Sequence, residues 1–297
     1  RTLVYIRILG YLLHFIPSRT GLDNLARQIK ECSSDNDLLQ LGQMYYDQYL
    51  RPFSRGRTSV SSRSSPMSRP SFDTLEEMTT AYLTGEATPG PESFATVKKK
   101  VCKQALARDG FRCVISGSYD ATSLRANQQL RNKRLAENPV PERVPTQCAH
   151  IFPASINQDI PPRSDENMQA SMLFKIHRLE NVMTLDPALH FFFDMLELWF
   201  VATGEPNQYT IRSIYGTEIK YEGQVVTLES MVPGLPLPSP AYLAIHAACA
   251  QVAHLSGAAE HIDKYDRDME DVMVLSPTGE SADLLDYALR GLQIAGH

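Results

Sequence analysis

Residues 181–194 read NVMTLDPALHFFFD, an apolar stretch that nevertheless carries Asn181, His190 and Asp194. A buried apolar helix has no need of these polar side chains. Because residues four apart share one face of a helix, His190 and Asp194 can point at the same spot. An imidazole and a carboxylate together suit a divalent cation. The stretch therefore predicts a helix that binds a metal ion.

A histidine earlier in the chain extends this set. His150 lies in CAHIFP, a β-like run that Pro153 stops, 31 residues before Asn181. On a strand opposite the helix, a histidine with a pKa near neutrality can serve as a general base. Asn181 can tie down the loop between them with side-chain hydrogen bonds. A lone histidine on an apolar strand is more often a core residue, but the ordered set favours a hydrolytic site.

Four motifs in this order resemble the HNH endonucleases, also called ββα-metal nucleases. RDGFRCVISG is similar to the opening of the family motif, and CAHIFP is similar to its first-histidine strand. The spacing from Asn181 to His190 resembles the family spacing, and HFFFD resembles the variant with a second ligand four residues later. The likeness covers about residues 107–195 and is closest to the HNH-domain proteins abundant in fungi (basidiomycetes). It implies an α+β fold with a β-hairpin packed on a helix.

The resemblance also implies a role for each residue. His150 would be the general base, Asn181 would position the base and its loop, and His190 and Asp194 would hold the cation. We expect Mg²⁺, with Mn²⁺ or Ni²⁺ as alternatives, and no structural zinc. The implied reaction is hydrolysis of nucleic-acid phosphodiester bonds with little sequence specificity, with DNA favoured over RNA.

One departure from the family pattern concerns the metal. Many members carry a ligand directly before the base, where this chain has Ala149. The candidate replacements are Asp159, His177 and Asp186. A missing ligand leaves two alternatives: a catalytically degenerate HNH module that binds nucleic acid or protein, and an enzyme that uses the same fold for other chemistry.

A second departure concerns the zinc that two CxxC pairs often hold in the family. The first pair is reduced to Cys113 with Ser116, and the second position holds Asp186 with Leu189. No zinc knuckle can form from these four residues. We expect Cys113 and Cys148 to be small buried residues.

The charge distribution points to an anionic partner. The net charge is −5, yet residues 98–143 hold eleven Lys and Arg against four Asp and Glu, and residues 216–297 hold four against twelve. Basic residues near a nuclease site supply phosphate affinity without sequence specificity, although a solvated helix face is the common alternative. The candidate nucleic-acid contacts are Lys98, Lys99, Lys100, Lys103, Arg108, Arg112, Arg131, Lys133 and Arg134. For the acidic C-terminal residues the favoured interpretation is that their helices complete the core and the acids face solvent. The alternative is that the segment 263–272 lies near this basic surface and competes with nucleic acid.

Composition and apolar spacing divide the chain into four parts. We expect a helical N-terminal region over 1–50, a flexible Ser/Arg/Pro-rich linker over 51–93, an HNH nuclease-like domain over 94–215, and an acidic C-terminal region packed on the core over 216–297.

Local patterns give further predictions within these parts. FRCVISGSYD reads as a strand into a turn, and TEIKY reads as a strand. SPAYLAIHAACAQVAHLSG and SADLLDYALRGLQI read as helices, and the three phenylalanines at 191–193 read as core.

Five cysteines without a CxxC pair favour reduced thiols in an intracellular protein of the cytoplasm or nucleus. The apolar start is interrupted by Arg7 and is too short to span a bilayer, so no membrane partner is expected. Secretion stays open, because the sequence does not begin with methionine.

Overall fold

The computed structural model describes residues 2–54, 72–84, 94–153 and 178–262, together with Lys264. Several predictions fall outside the described residues. They are most of the linker, the candidate ligands Asp159 and His177, nearly all of the acidic segment 263–272, and the last predicted helix.

The described residues form two compact units. The first contains 2–54, Pro153, 244–262 and Lys264, and the second contains 72–84, 94–152 and 178–243. Helices and strands are mixed, which is consistent with the predicted α+β class. Among the described helices, none is long and apolar enough to cross a membrane. The predicted domain boundaries stay predictions.

The first unit is helical, as its apolar spacing predicts. Its elements are α1 (Thr2–Phe15), α2 (Arg19–Glu31), α3 (Asp35–Tyr45), a π-helix (Tyr46–Leu50) and α4 (Arg51–Ser54). Ser34 caps α3, because its side chain accepts a hydrogen bond from the Asp37 backbone while the Asp37 side chain accepts one from the Ser34 backbone. The predicted helix over SPAYLAIHAACAQVAHLSG is also present and ends in this unit.

The second unit contains all of the candidate site residues that are described. Its elements in chain order are α5 (Leu75–Thr84), α6 (Phe94–Arg108), β1 (Tyr119–Asp120), α7 (Ala121–Ala126), α8 (Gln128–Ala136), β2 (Arg143–Val144), β3 (Gln147–His150), β4 (Val182–Leu185), α9 (Pro187–Asp194), β5 (Leu198–Ala202), β6 (Gln208–Ser213), β7 (Val225–Thr227) and the start of α10 (Pro240–Ser256). A 3₁₀ turn, Leu179–Asn181, leads into β4.

Three local predictions in this unit are wrong. Helix α5 lies inside the predicted linker, and its Met78 is fully buried. In FRCVISGSYD the predicted turn is present, since Gly117 takes a left-handed φ of 69° and its N–H donates to the Cys113 carbonyl, but in place of the predicted strand there is only an isolated bridge between Arg112 and Tyr119. TEIKY forms a 3₁₀ turn (Gly216–Glu218) and further turns instead of a strand.

The hairpin and the helix that follows it lie at the centre of the second unit. Strands β3 and β4 are antiparallel, with Gln147 opposite Leu185 and His150 opposite Val182. One face of the hairpin packs in an apolar core with α9 and the antiparallel sheet β5–β6–β7. On the other face, Val182 packs against the apolar side of α6. The hairpin is therefore held from both sides.

The C-terminus of α6 is joined to the hairpin by a buried ion pair. Arg108 is fully buried, and its Nε lies 2.7 Å from Asp109 Oδ1. Its guanidinium also donates to the carbonyls of Leu179 (2.7 Å), Val182 (2.8 Å) and Pro236 (3.1 Å). The prediction that Arg108 contacts nucleic acid is therefore wrong, because its N–H donors are used inside the protein.

We expect Arg108→Ala to lower the free energy of unfolding by about 3–5 kcal/mol, since it leaves the Asp109 carboxylate buried without its cation. Lys98→Ala is the matched control, because it removes an exposed positive charge from the same helix and should cost no more than about 0.5 kcal/mol. Urea denaturation measures both values. Equal midpoints for the two variants would contradict the structural role of Arg108.

Candidate functional site

Helix α9 begins abruptly at the end of the hairpin. Asp186 Oδ1 accepts a hydrogen bond from the Leu189 N–H at 2.9 Å, and Pro187 occupies the first turn. Both residues favour helix initiation. The cap fixes the direction of α9 relative to β4, and thereby the position of the side chains that α9 carries.

The three phenylalanines of α9 do not all lie in the core. Phe193 is fully buried and Phe192 is partly buried, but Phe191 is 55% exposed. Successive residues on a helix point about 100° apart, so three in a row cannot share one apolar face. The prediction of a buried Phe191 is wrong.

His190 is held on both sides of its ring. Its Nδ1 lies 2.7 Å from Gln147 Oε1 on β3, and its Nε2 lies 3.2 Å from Asp194 Oδ2 one helical turn later. When Nδ1–H donates to Gln147, Nε2 carries a lone pair that faces the carboxylate. Two such groups attract only if a cation or a proton lies between them. The side chains of His190 and Asp194 are 20% and 37% exposed, so solvent and ions can reach them.

Ala149, the residue before His150, supplies no metal ligand beside His190 and Asp194. Ala149 is fully buried in the apolar core beside Met183. Asp186 uses one carboxylate oxygen to cap α9. In the part of the chain that the structure describes, no group of three or more His, Cys, Asp or Glu side chains could hold a metal ion.

Asn181 is buried and clamps the segment that follows His150. Its Oδ1 accepts from the Phe152 N–H at 2.9 Å, and its Nδ2 donates to the Phe152 carbonyl at 3.1 Å. The Asn181 carbonyl also accepts from the Ile151 N–H at 2.8 Å. The carbonyls that Arg108 binds, those of Leu179 and Val182, lie on either side of Asn181 in the chain. The backbone at Asn181 is therefore fixed by the buried ion pair.

His150 ends β3 and is half-buried. Its neighbours Ala149 and Ile151 both lie in the core that α9 covers. Because strand side chains alternate, His150 lies on the other face, together with Cys148, whereas Gln147 shares the face of Ala149. The structure thus brings His190, Asp194 and Gln147 together and has His150 on the opposite face of the strand.

The four positions that correspond to the zinc knuckle lie near one another. Cys113 is buried and its Sγ accepts from the Ser116 N–H at 3.4 Å. Burial raises the pKa of the Cys113 thiol, and the nearby charge of Asp186 raises it further. Leu189 belongs to the same apolar core as Cys113. The four positions are therefore occupied by a buried thiol, a hydroxyl, the carboxylate of Asp186 and a leucine.

A pocket of about 270 Å³ lies beside the hairpin, and its lining includes Lys99, Lys103, Gln147 and Cys148. Lys99 is exposed and Lys103 is half-buried. The thiols of Cys148 and Cys102 form a hydrogen bond, which lowers the pKa of Cys102 and raises that of Cys148. The basic face of α6 therefore borders the strand that carries His150.

Among the other basic residues predicted to contact nucleic acid, Arg112 is bonded to neighbouring side chains and the rest are exposed or half-buried. Arg112 donates to the Tyr119 hydroxyl (2.6 Å) and to Glu137 (3.2 Å), and its guanidinium lies over the Tyr119 ring. Burial, followed by the hydrogen bond to Glu137, raises the pKa of Tyr119 to about 12. Arg112 is thus a structural residue, and its predicted role as a nucleic-acid contact is not supported by its contacts. Lys98 and Lys133 are exposed, whereas Lys100, Arg131 and Arg134 are half-buried.

Sequence reasoning missed Gln147 as a site residue. The alternation of side chains along β3 could have identified it. Gln147 precedes Ala149 by two residues and therefore shares the strand face on which α9 packs. It also missed Arg125 and Arg143, which line a second pocket with two of the predicted basic residues.

Comparison with known proteins supports the resemblance over part of the chain. The family model described as HNH endonuclease matches residues 113–201, which include β3, β4 and α9. No curated protein and no solved structure matches the chain.

We expect Asn181→Ala to loosen the segment that carries His150. The substitution leaves the Phe152 N–H and carbonyl without their side-chain partner, at a cost of about 1–3 kcal/mol in unfolding free energy. Amide hydrogen exchange at Phe152 should become faster than in wild type, while exchange in the sheet β5–β6–β7 should change only by the overall loss of stability. Unchanged protection at Phe152 in the variant would contradict the clamp.

Proposed function

We propose that this chain is an HNH-type nuclease that hydrolyses nucleic-acid phosphodiester bonds with a divalent cation and little sequence preference. The observation that carries the proposal is His190 held between Gln147 and Asp194, on the helix that follows an antiparallel strand pair. This arrangement lies within the segment that the HNH family model matches. Hairpin and helix have the order of a ββα-metal core.

His190 and Asp194 fit the task of holding the cation. His190 Nε2 and Asp194 Oδ2 lie 3.2 Å apart, so both atoms could hold one divalent cation. Gln147 fixes the ring by accepting from Nδ1–H, as partners of metal-bound histidines usually do. Mg²⁺ is commonly bound by one or two protein carboxylates together with water and substrate phosphates, so two protein donors suffice. The imidazole donor raises affinity for Mn²⁺ and Ni²⁺ above that for Mg²⁺.

The bound cation would supply charge neutralisation on the phosphate and the leaving oxygen. His150 takes the proton from the attacking water, a task that imidazole often performs in hydrolytic enzymes. Asn181 is a positioning residue, since its two hydrogen bonds to Phe152 hold the chain directly after His150. His150 lies on one face of β3, and the residues that hold the cation, His190 and Asp194, lie on the side of the other face. The substrate therefore has to contact both at the end of the strand.

Lys99 and Lys103 bind the phosphates that flank the cleaved bond. They line the pocket that also contains Cys148, the residue on the same strand face as His150. Lysine contacts to phosphate add affinity without reading bases. DNA is the favoured substrate over RNA.

The burial of Ala149 favours a second candidate function, a degenerate HNH module that binds nucleic acid without cleaving it. An alanine in the apolar core cannot supply the ligand that many family members carry there. Such a module would bind DNA in a salt-sensitive way. It would show no turnover with any cation, and His190→Ala would bind as well as wild type.

We expect purified protein to nick supercoiled plasmid with Mg²⁺, Mn²⁺ or Ni²⁺ and to be inactive in a chelator. His150→Ala should lower the rate by about 10²–10⁴-fold, which is the usual contribution of a general base. His190→Ala should also lower it, and a higher Mn²⁺ concentration should restore part of the loss. His14→Ala, at an exposed position in the first unit, is the matched control and should cleave at the wild-type rate.

Two results would decide against the nuclease. Equal trace rates for wild type and His150→Ala would mean that a contaminant cleaves the plasmid. DNA binding without turnover in all three metals would favour the degenerate module.

A further inference from the structure

Four arginines line one pocket in the second unit, away from the residues assigned to hydrolysis. The pocket has a volume of about 260 Å³ and is formed by α7, α8 and β2. Its lining residues are Leu124, Arg125, Arg131, Arg134, Leu135 and Arg143. Arginine is charged at every physiological pH, so the pocket concentrates four positive charges.

The protein positions two of these arginines itself. Arg131 donates to the Arg125 carbonyl at 3.0 Å and to Gln128 Oε1 at 3.0 Å, and also to the Leu124 carbonyl at the end of α7. Arg134 donates through Nε to the Pro141 carbonyl at 2.7 Å. These partners are neutral, so they orient the guanidinium groups without cancelling their charge.

No carboxylate within the described ranges forms an ion pair with any of the four arginines. Two of the nearby acids are used elsewhere: Asp120 accepts from Ser123 and Thr146, and Glu137 accepts from Arg112 and Tyr119. Glu142, directly before Arg143, is exposed and forms no ion pair within the described ranges. Like charges around one pocket repel, and an anion bound between them relieves the repulsion. The pocket therefore favours an anionic ligand.

The remaining lining residues limit what kind of anion fits. Leu124 is buried and Leu135 is 62% exposed, so one wall of the pocket is apolar and open. Guanidinium groups recognise phosphate oxygens in a bidentate manner, and an apolar wall accepts the face of a base or sugar. The volume lies just below the range of about 300–1,000 Å³ for small-ligand pockets, which suits one nucleotide and not a duplex.

We propose that this pocket binds one nucleotide unit, with its phosphate on the arginines and its base or sugar against the leucines. The unit belongs either to a nucleic-acid strand or to a free mononucleotide, since both offer the same phosphate. The idea that the nucleotide belongs to a nucleic-acid strand rests on the proposed function, whereas anion binding in the pocket does not. As part of a strand, the nucleotide would anchor the substrate at a point separate from the cleaved bond.

The test measures binding of a fluorescein-labelled single-stranded 20-nucleotide DNA by anisotropy, in a chelator so that no cleavage occurs. Arg125→Gln/Arg143→Gln is the main variant, because neither side chain has a polar partner among the described residues. Lys220→Gln is the matched control, since it removes an exposed charge from the same unit, outside the pocket and outside the predicted nucleic-acid contacts. Thermal melting verifies that each variant folds. Leu135→Glu, at the exposed rim, is a second variant that leaves every arginine in place.

The double variant should bind the DNA about tenfold or more weakly, as expected for the loss of two charge-assisted contacts. The slope of log affinity against log salt should fall by about 1.4, the value for two contacts on a single strand. Leu135→Glu should also weaken binding, and Lys220→Gln should change it less than about twofold. If adenosine monophosphate competes with the DNA for wild type but not for the double variant, the pocket also binds a free nucleotide. If it does not compete with the DNA, the ligand is the nucleic-acid strand.

Wild-type affinity in the double variant for both probes would overturn the proposal. An equal loss in Lys220→Gln would also overturn it, because the effect would then be one of general surface charge. A wild-type protein that binds through the pocket but cleaves nothing would contradict the proposed function and leave the pocket intact.

Discussion

The buried ion pair between Arg108 and Asp109 is the interaction on which the candidate site depends. Burying a charge is costly unless its hydrogen bonds are satisfied, and all five N–H donors of Arg108 have acceptors within the protein. Asp109 in turn accepts from the Thr184 N–H of β4 at 2.8 Å. One cluster at the end of α6 thereby fixes both the turn before β4 and the strand itself.

The positions of the site residues are set by this cluster. The turn that it holds contains Asn181, whose side chain clamps the chain after His150. Strand β4 leads directly to the cap of α9, so the direction of the helix and the place of His190 follow from the same anchor. Gln147, on the paired strand, then meets the His190 ring. The chemistry proposed for the site thus depends on a charge pair that never contacts substrate.

Local sequence patterns predicted the parts of the site that depend on neighbours in the chain. The pairing of His190 with Asp194 follows from helical spacing alone, and the loop contact of Asn181 follows from its amide chemistry. Burial of Arg108 could not be predicted in this way, because a basic run looks solvated and its acceptors lie about 70 and 130 residues later. In FRCVISGSYD the turn was predicted, but the strand before it is reduced to an isolated bridge between Arg112 and Tyr119. The four-arginine pocket forms only when α7, α8 and β2 come together.

The proposed site requires His190 and Asp194 to hold a divalent cation with the help of Gln147. Crystals soaked with Mn²⁺ and measured for anomalous scattering test this requirement. We expect one anomalous peak within bonding distance of His190 Nε2 and Asp194 Oδ2, absent from crystals of Asp194→Asn. A peak elsewhere, or no peak beside His190 at a Mn²⁺ concentration that supports cleavage, would contradict it.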